Sequence, residues 1–295
     1  MSTAGTRLRG RISTDAFLVL GGVLVVLRLL NVYPWTLPIL DLHTYWQSRD
    51  IINYAAYNPF LIGAYLYAPA FAQAISPLTA LPWPLFAGAW TAILVIACLW
   101  LTGRWALPLL LTGAVALDLY LGQIDLLLAA AIVVGFRYPA AWAFPLLTKV
   151  APGIGLLWFV ARREWRNLAI ALAATAGIVV VSVAIDPSLW RGWLDLLYRS
   201  AAERQTIEGF YLNVPVWFRL PIGAAIVIWG ARTDRHWTVP IAVLLAMPIL
   251  WLNVFTILVA IVPLRAEFGL TPARAWLLRA RTLPAPTSQP EGRPV

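Results

Sequence analysis

Two charged residues of this 295-residue sequence have the types and settings that chemistry at a membrane requires. Asp41 follows the first apolar segment, where its carboxylate is suited to take a proton from an attacking hydroxyl as a general base. Such a base works best beside a cation that stabilises a departing anion. Lys149, the only lysine, lies in an apolar segment and is suited to hold a phosphate. The alternatives are a solvated loop acid and a lysine that snorkels to the interface.

Other polar residues interrupt the apolar pattern in ways that leave two interpretations open. Gln123 and Asp125 lie within one apolar stretch, where they either line a cavity or form a hydrogen bond between helices. Arg191, Arg199 and Arg204 fall in a segment predicted to be outside the membrane, against the positive-inside trend. They indicate either an anionic partner such as a lipid phosphate or a solvated amphipathic helix.

The composition excludes a soluble enzyme. The chain is 61% hydrophobic and only 12% charged, whereas soluble domains carry roughly 25% charge. A single cysteine, Cys98, excludes an isolated disulfide-stabilised secreted domain. The net charge of +9 is typical of cytoplasmic loops beside anionic lipid, so we expect membrane lipid and no nucleic acid as a partner. His43 and His236 are too scattered for a zinc site, and we expect no metal and no cofactor.

The apolar segments predict an all-α, polytopic transmembrane helical bundle of about 8–11 membrane helices, some of them short and broken. A short helix over Thr44–Ala56 is expected to lie in the membrane interface. The predicted layout has a cytoplasmic N-terminal tail, a transmembrane domain with two large extracytoplasmic loops, and a basic, Pro-rich, disordered cytoplasmic tail. The respective ranges are 1–14, 15–264 (with loops 34–60 and 186–213) and 265–295.

Charge and breaks within the apolar segments determine the predicted topology. The clearest predicted spans are Ala16–Tyr33, Leu61–Leu81, Leu85–Thr102 and Leu168–Ile185. Arginines before the first span predict a cytoplasmic N-terminus in the cell membrane. Between the third and fourth spans, polar breaks at 121–125 and 148–153 divide two apolar stretches into short pieces. We interpret these as helical hairpins whose tips point into an extracytoplasmic cavity; the alternative is that each stretch is one long tilted span.

The order of these motifs resembles the GT-C polyprenyl-phosphate-dependent membrane glycosyltransferases, most closely glycosyltransferase family 87, the PimE-like mannosyltransferases. The resemblance covers roughly residues 15–263 and rests on short motifs in a fixed order. They are Asp-x-x-x-Tyr (Asp41 to Tyr45), a Tyr-x-Pro entrance to the second span (Tyr67 to Pro69), Gly-Gln-x-Asp (Gly122 to Asp125), Lys-x-x-Pro (Lys149 to Pro152) with a basic cluster (Arg162 to Arg166), and Asn213.

The resemblance implies a metal-independent, inverting hexosyltransferase in which Asp41 is the general base. The implied donor is a polyprenyl phosphate sugar, with mannose as the expected sugar. The implied acceptor is a lipid-linked or cell-envelope glycan on the extracytoplasmic side. Lys149 and the outside arginines would hold the donor phosphate. The residues expected to bind substrate are His43, Tyr45, Tyr67, Gln123, Asp125, Asn213 and Asn253.

Two departures from the family pattern leave alternatives. Family members often carry Trp-x-His in the last conserved span, where this chain has Asn253 after Trp251 and Leu252, and the chain is short for the family. A catalytically inactive member is therefore one alternative. A multi-pass transporter or lipid flippase is the other, and it predicts that Asp125 and Lys149 matter more than Asp41.

Overall fold

A computed structural model describes residues 3–31, 41–49, 54, 65–202, 211–212 and 214–281. The α-helices are α1 (Thr3–Leu29), α2 (Asp41–Gln47), α3 (Pro69–Thr79), α4 (Trp83–Thr102), α5 (Ala106–Leu110), α6 (Ala114–Leu121), α7 (Asp125–Gly135), α8 (Ala143–Thr148), α9 (Leu157–Ala161), α10 (Trp165–Ile185), α11 (Pro187–Ala202), α12 (Val216–Arg232), α13 (Thr238–Ala246), α14 (Ile261–Leu264) and α15 (Pro272–Arg281). Short 3₁₀ helices cover Gly103–Trp105, Pro139–Trp142, Ala151–Leu156, Leu252–Ala260 and Ala266–Phe268.

The remaining regular structure in the described residues is one small antiparallel pair of strands, β1 (Tyr211–Leu212) and β2 (Leu250–Trp251). Within the described ranges, three helical segments are long and apolar enough to cross a membrane, namely Gly10–Leu29, Trp83–Leu110 and Trp165–Ile185. Large apolar side chains on these segments, such as Val19, Ile96 and Val180, are exposed, which is favourable against lipid but not against water. The prediction of an all-α polytopic membrane protein is confirmed.

The first polar break is a sharp bend. α6 and α7 together are apolar enough for a fourth span, but they meet at an angle of 109°. Gly122 ends α6 in the left-handed conformation (φ 72°), and the carbonyl of Asp118 accepts a hydrogen bond from the N–H of Gln123 (3.0 Å). The angle excludes one long tilted span over this stretch.

The second polar break begins where α8 ends at Thr148. Lys149 is extended, and the 3₁₀ helix Ala151–Leu156 follows it. The 3₁₀ helix Leu252–Ala260 packs against both α6 and α7, and therefore bridges the first break from the far end of the chain. The first polar break thus lies in the packed interior rather than against lipid.

The second predicted span, Leu61–Leu81, is wrong in its described part. Residues 65–68 are not helical, and α3 has only 11 residues. The cause is Pro69, because a residue before proline favours extended backbone, and Ala68 is extended (ψ 151°). A helix of this length does not cross the ~30 Å hydrocarbon layer.

The helix predicted for the first extracytoplasmic loop begins and ends earlier than expected. It starts at Asp41 rather than Thr44, and it ends at Gln47. Leu42 and Tyr45, three residues apart, are fully buried, so one face of this helix packs into the protein.

The C-terminal tail is more ordered than the prediction of disorder allows. α15 packs against α4, with the rings of Trp276 and Trp100 5.9 Å apart. The guanidinium of Arg137 lies over the Trp276 ring at 4.6 Å. Residues 282–295 lie outside the described residues.

Candidate active site

The helix α2 brings Asp41 to the first break. Leu42 is fully buried and contacts Gly122, so Asp41 lies beside Gln123, with which its side chain forms a hydrogen bond. Burial raises the pKa of the Asp41 carboxyl to about 6, while the nearby ammonium of Lys149 and the Gln123 hydrogen bond oppose that rise. Asp41 remains partly exposed. The carboxyl of Asp41 and the ammonium of Lys149 therefore lie in the same region.

Gln123 links Asp41 to a pair of buried tyrosines. The hydroxyls of Tyr45 and Tyr67 are hydrogen-bonded to each other at 2.9 Å, and both lie within hydrogen-bond distance of Oε1 of Gln123, at 3.3 and 3.4 Å. Because these hydroxyls occupy the carbonyl oxygen of the Gln123 side chain, its NH₂ group is the part that faces the Asp41 carboxylate. The hydroxyls of Tyr45 and Tyr67 thus orient the side-chain amide of Gln123 toward Asp41.

Lys149 is held by Asp125, which Asn253 supports in turn. Lys149 Nζ donates to Asp125 Oδ1 at 2.6 Å, and Asn253 Nδ2 donates to Asp125 Oδ2 at 2.9 Å. The Asp125 side chain is fully buried, whereas 20% of the Lys149 side chain stays exposed. Both carboxylate oxygens have partners, as a buried ion pair requires. Lys149 therefore points to an interior acid and does not snorkel to the membrane surface.

Asp118 is a carboxylate at this site that sequence reasoning did not single out. It is fully buried in α6, and its carboxylate faces the backbone N–H groups of Asp125 and Leu126. It lies beside the first N–H groups of α7 and within electrostatic range of Asp125 and Lys149. A helix N-terminus favours a negative charge. The signal in the sequence was an acid in the middle of the apolar run Ala114–Leu121.

His43 lies on α2 but faces other neighbours. Its ring packs against Trp46 at 5.9 Å and against Trp83 at 5.1 Å between centroids. Burial lowers the pKa of this imidazole. His43 therefore belongs to an aromatic cluster at the start of α4 rather than to the group around Gln123.

The outside arginines are spread over different surroundings. Arg191 is exposed on α11, and Arg199 donates to the carbonyl of Tyr54 at 2.6 Å. Arg204 and Asn213 lie outside the described residues. Of the predicted phosphate-binding cations, Lys149 is the one that the described structure brings next to Asp41.

The group consisting of Asp41, Tyr45, Tyr67, Gln123, Asp125, Lys149 and Asn253 is called the Asp41–Lys149 cluster below. It combines an acid able to accept a proton, a cation able to stabilise an anion, and phenol and amide groups that fix both. Within the described part of the chain, no three His, Cys, Asp or Glu side chains are grouped so that they could hold a metal ion.

A comparison with known protein families identifies the family of this chain. The sequence profile of Glycosyltransferase family 87 matches residues 65–282, which is more than half of the chain. The matched segment contains Tyr67, both polar breaks and Asn253, whereas Asp41 precedes it. No curated protein and no solved structure matches the chain. The chain therefore belongs to glycosyltransferase family 87 and is a membrane glycosyltransferase.

Proposed function

We propose that this enzyme transfers a sugar, with mannose as the expected one, from a polyprenyl phosphate to a lipid-linked or cell-envelope glycan on the extracytoplasmic side of the membrane. The observation that carries the proposal is that Lys149 lies within electrostatic range of Asp41 and of Tyr67, while Gln123 is hydrogen-bonded to Asp41 and to Tyr67. Family membership accounts for glycosyl transfer, and this arrangement supplies the acid–base and electrostatic groups that such a transfer needs.

In the proposed reaction, Asp41 takes the proton of an acceptor hydroxyl while that oxygen attacks the anomeric carbon of the donor sugar. The bond between the anomeric carbon and the phosphate oxygen breaks, and its electron pair stays on the phosphate. The products are the glycosylated acceptor with inverted configuration and a polyprenyl phosphate. Lys149 stabilises the negative charge that develops on the leaving group.

Asp125 acts in this scheme as an anchor for Lys149. Because its two oxygens are engaged by Lys149 and Asn253, it has little capacity left for a sugar hydroxyl. The amide of Asn253 adds a hydrogen bond without adding a charge, so the ammonium of Lys149 supplies the positive charge of this trio. The exposed fifth of the Lys149 side chain gives a phosphate access to it.

The membrane-facing helices offer apolar surface for the lipid parts of the substrates. Exposed apolar faces of α1, α4 and α10 are suited to contact a prenyl chain as well as bulk lipid. Arg7, Arg9 and Arg11 precede the predicted span Ala16–Tyr33 and favour a cytoplasmic N-terminus, which would place α2 on the extracytoplasmic side.

The direct test is the Asp41→Asn enzyme, assayed in membranes with radiolabelled polyprenyl-phospho-sugars and extracted lipid acceptors. We expect a loss of about a hundred- to ten-thousand-fold in transfer rate, because the amide cannot accept the proton. Abundance and membrane insertion should match the wild type. Asp195→Asn, which changes an exposed acid on α11, is the matched control and should keep full activity. Normal turnover by Asp41→Asn would remove the base from the scheme.

A further inference from the structure

Gly122 is the point where α2 touches the first break, and its backbone requires glycine for two separate reasons. Its φ of 72° lies in the left-handed region, which is unfavourable for residues with a Cβ. A Cβ at this position would also lie 2.6 Å from Cβ of Leu42. Since Leu42 Cβ is fixed to the backbone of α2, no rotation of the Leu42 side chain relieves that overlap.

The two residues in contact are each next to a member of the Asp41–Lys149 cluster. Leu42 follows Asp41 in α2, and Gly122 precedes Gln123 in the break. On the other side of Gly122, Trp90 Nε1 of α4 donates to its carbonyl oxygen at 2.9 Å. The break is therefore fixed to a long helix, and α2 rests on the break through the side chain of Leu42.

We infer that the Leu42–Gly122 contact is the device that positions the general base. It sets where Asp41 stands relative to Gln123 and Lys149, and both residues are positioning residues rather than catalytic ones. This inference rests on the proposed function, because it takes Asp41 to be the base. Rates of transfer are sensitive to such placement, since an error of about 1 Å can cost roughly a hundredfold in rate.

The first variant is Gly122→Ala, with Gly113→Ala as its matched control. Gly113 also has a positive φ (84°), but a Cβ there would meet nothing within 4 Å. The control therefore introduces the backbone strain without the overlap. We expect Gly122→Ala to lower kcat about ten- to a hundredfold more than Gly113→Ala does, with the donor KM changed less than about twofold. The donor KM should change less because Gly122→Ala removes neither Lys149 nor its partner Asp125.

Double variants test whether the overlap of the two Cβ atoms is the cause. In the Gly122→Ala enzyme, an added Leu42→Gly removes the overlapping Cβ. The kcat of this double variant should exceed the value expected if the fold-losses of the two single variants multiplied. An added Leu42→Ala keeps that Cβ and should give no such recovery. Equal recovery by both, or by neither, would overturn the inference.

A distance measurement tests the position of α2 independently of activity. Spin labels at Gln47→Cys, on the exposed end of α2, and at Ile96→Cys, on the exposed face of α4, report the separation of the two helices. We expect this distance to change in Gly122→Ala and to match the wild type in Gly113→Ala. An unchanged distance in folded Gly122→Ala would overturn the inference. If Asp41→Asn proves fully active, the proposed function fails, while the label distances still show whether the contact positions α2.

Discussion

At the residue scale, the Asp41 carboxyl is subject to two opposing effects. Enclosure by the protein raises its pKa to about 6, and the ammonium of Lys149 limits the rise. Such a pKa is suited to a general base, because the group is ionised at neutral pH and still binds a proton well enough to remove it from a hydroxyl.

This pKa predicts the pH dependence of transfer. As a base, Asp41 works only when deprotonated, so kcat/KM should rise with pH through about 6 and level off above pH 7. Below pH 5 the rate should fall about tenfold per pH unit. The measurement is the initial rate of transfer between pH 4.5 and 8 in reconstituted vesicles. A flat profile over this range would contradict Asp41 as the base.

Replacing Lys149 should separate its contribution to folding from its proposed role in donor binding. Lys149→Met leaves the fully buried Asp125 without its cation, which we expect to lower the free energy of unfolding by about 3–5 kcal/mol. The double change Lys149→Met with Asp125→Asn removes both charges and should recover most of that stability. Its donor KM should nevertheless stay at least about tenfold above the wild type, because no ammonium remains for the phosphate.

Thermal unfolding in detergent and donor titrations measure these two quantities. Full recovery of donor use by the double variant would show that Lys149 serves folding alone.

At the element scale, the sequence allows the breaks to be predicted better than the helices around them. Gln123 and Lys149 are rare polar residues in apolar runs, and that contrast alone locates both breaks. The 109° bend and the short α3 were not predictable from hydropathy, because average hydropathy is insensitive to Pro69 and to a left-handed Gly122.

The contacts within the site were harder to predict than its members. Asp125 and Lys149 are 24 positions apart, but Asn253 is 128 positions from Asp125 and reaches it only because the 3₁₀ helix Leu252–Ala260 packs across the first break. Pairing over such a separation depends on tertiary packing, which one sequence does not encode in any local pattern. Asp118, by contrast, did have a local signal, an acid within the apolar run Ala114–Leu121, which sequence reasoning did not single out.

The segment that leads to Asn253 is held by a single buried arginine of α12. Arg219 is 3% exposed and lies beside the turn between α13 and β2. It donates hydrogen bonds to the carbonyls of Val214 (2.7 Å), Leu245 (2.8 Å), Met247 (2.8 Å) and Pro248 (3.1 Å). Its planar fork satisfies carbonyls at the end of α13 that would otherwise lack partners.

We expect Arg219→Lys to lower the free energy of unfolding by about 2–4 kcal/mol, because one ammonium cannot reach carbonyls spread around a guanidinium. The transition should be followed by thermal unfolding in detergent. Arg232→Lys, at the exposed end of the same helix, is the matched control and should change stability by less than about 0.5 kcal/mol. Equal stability of the two variants would show that these hydrogen bonds contribute little.

At the scale of the whole molecule, the proposed orientation can be checked with cysteine labelling. Gln47→Cys should react in intact cells with a maleimide that does not cross membranes, because α2 is predicted to be extracytoplasmic. Arg166→Cys, in the basic cluster before α10, should react only after permeabilisation. The native Cys98 is fully buried, so the chain without an added cysteine should not react with the maleimide. The reverse pattern would place the active site on the cytoplasmic side.

The buried pair of Lys149 and Asp125 also bears on how the chain is made. A lysine that enters the membrane within an apolar segment is costly, up to about 2.5–3.5 kcal/mol where it falls at the centre of a helix. Asp125 is synthesised 24 residues before Lys149, so its carboxylate is already present when the lysine emerges. We expect the two broken segments to pass into lipid together as one unit of biogenesis, with the charge of each partner lowering the barrier for the other.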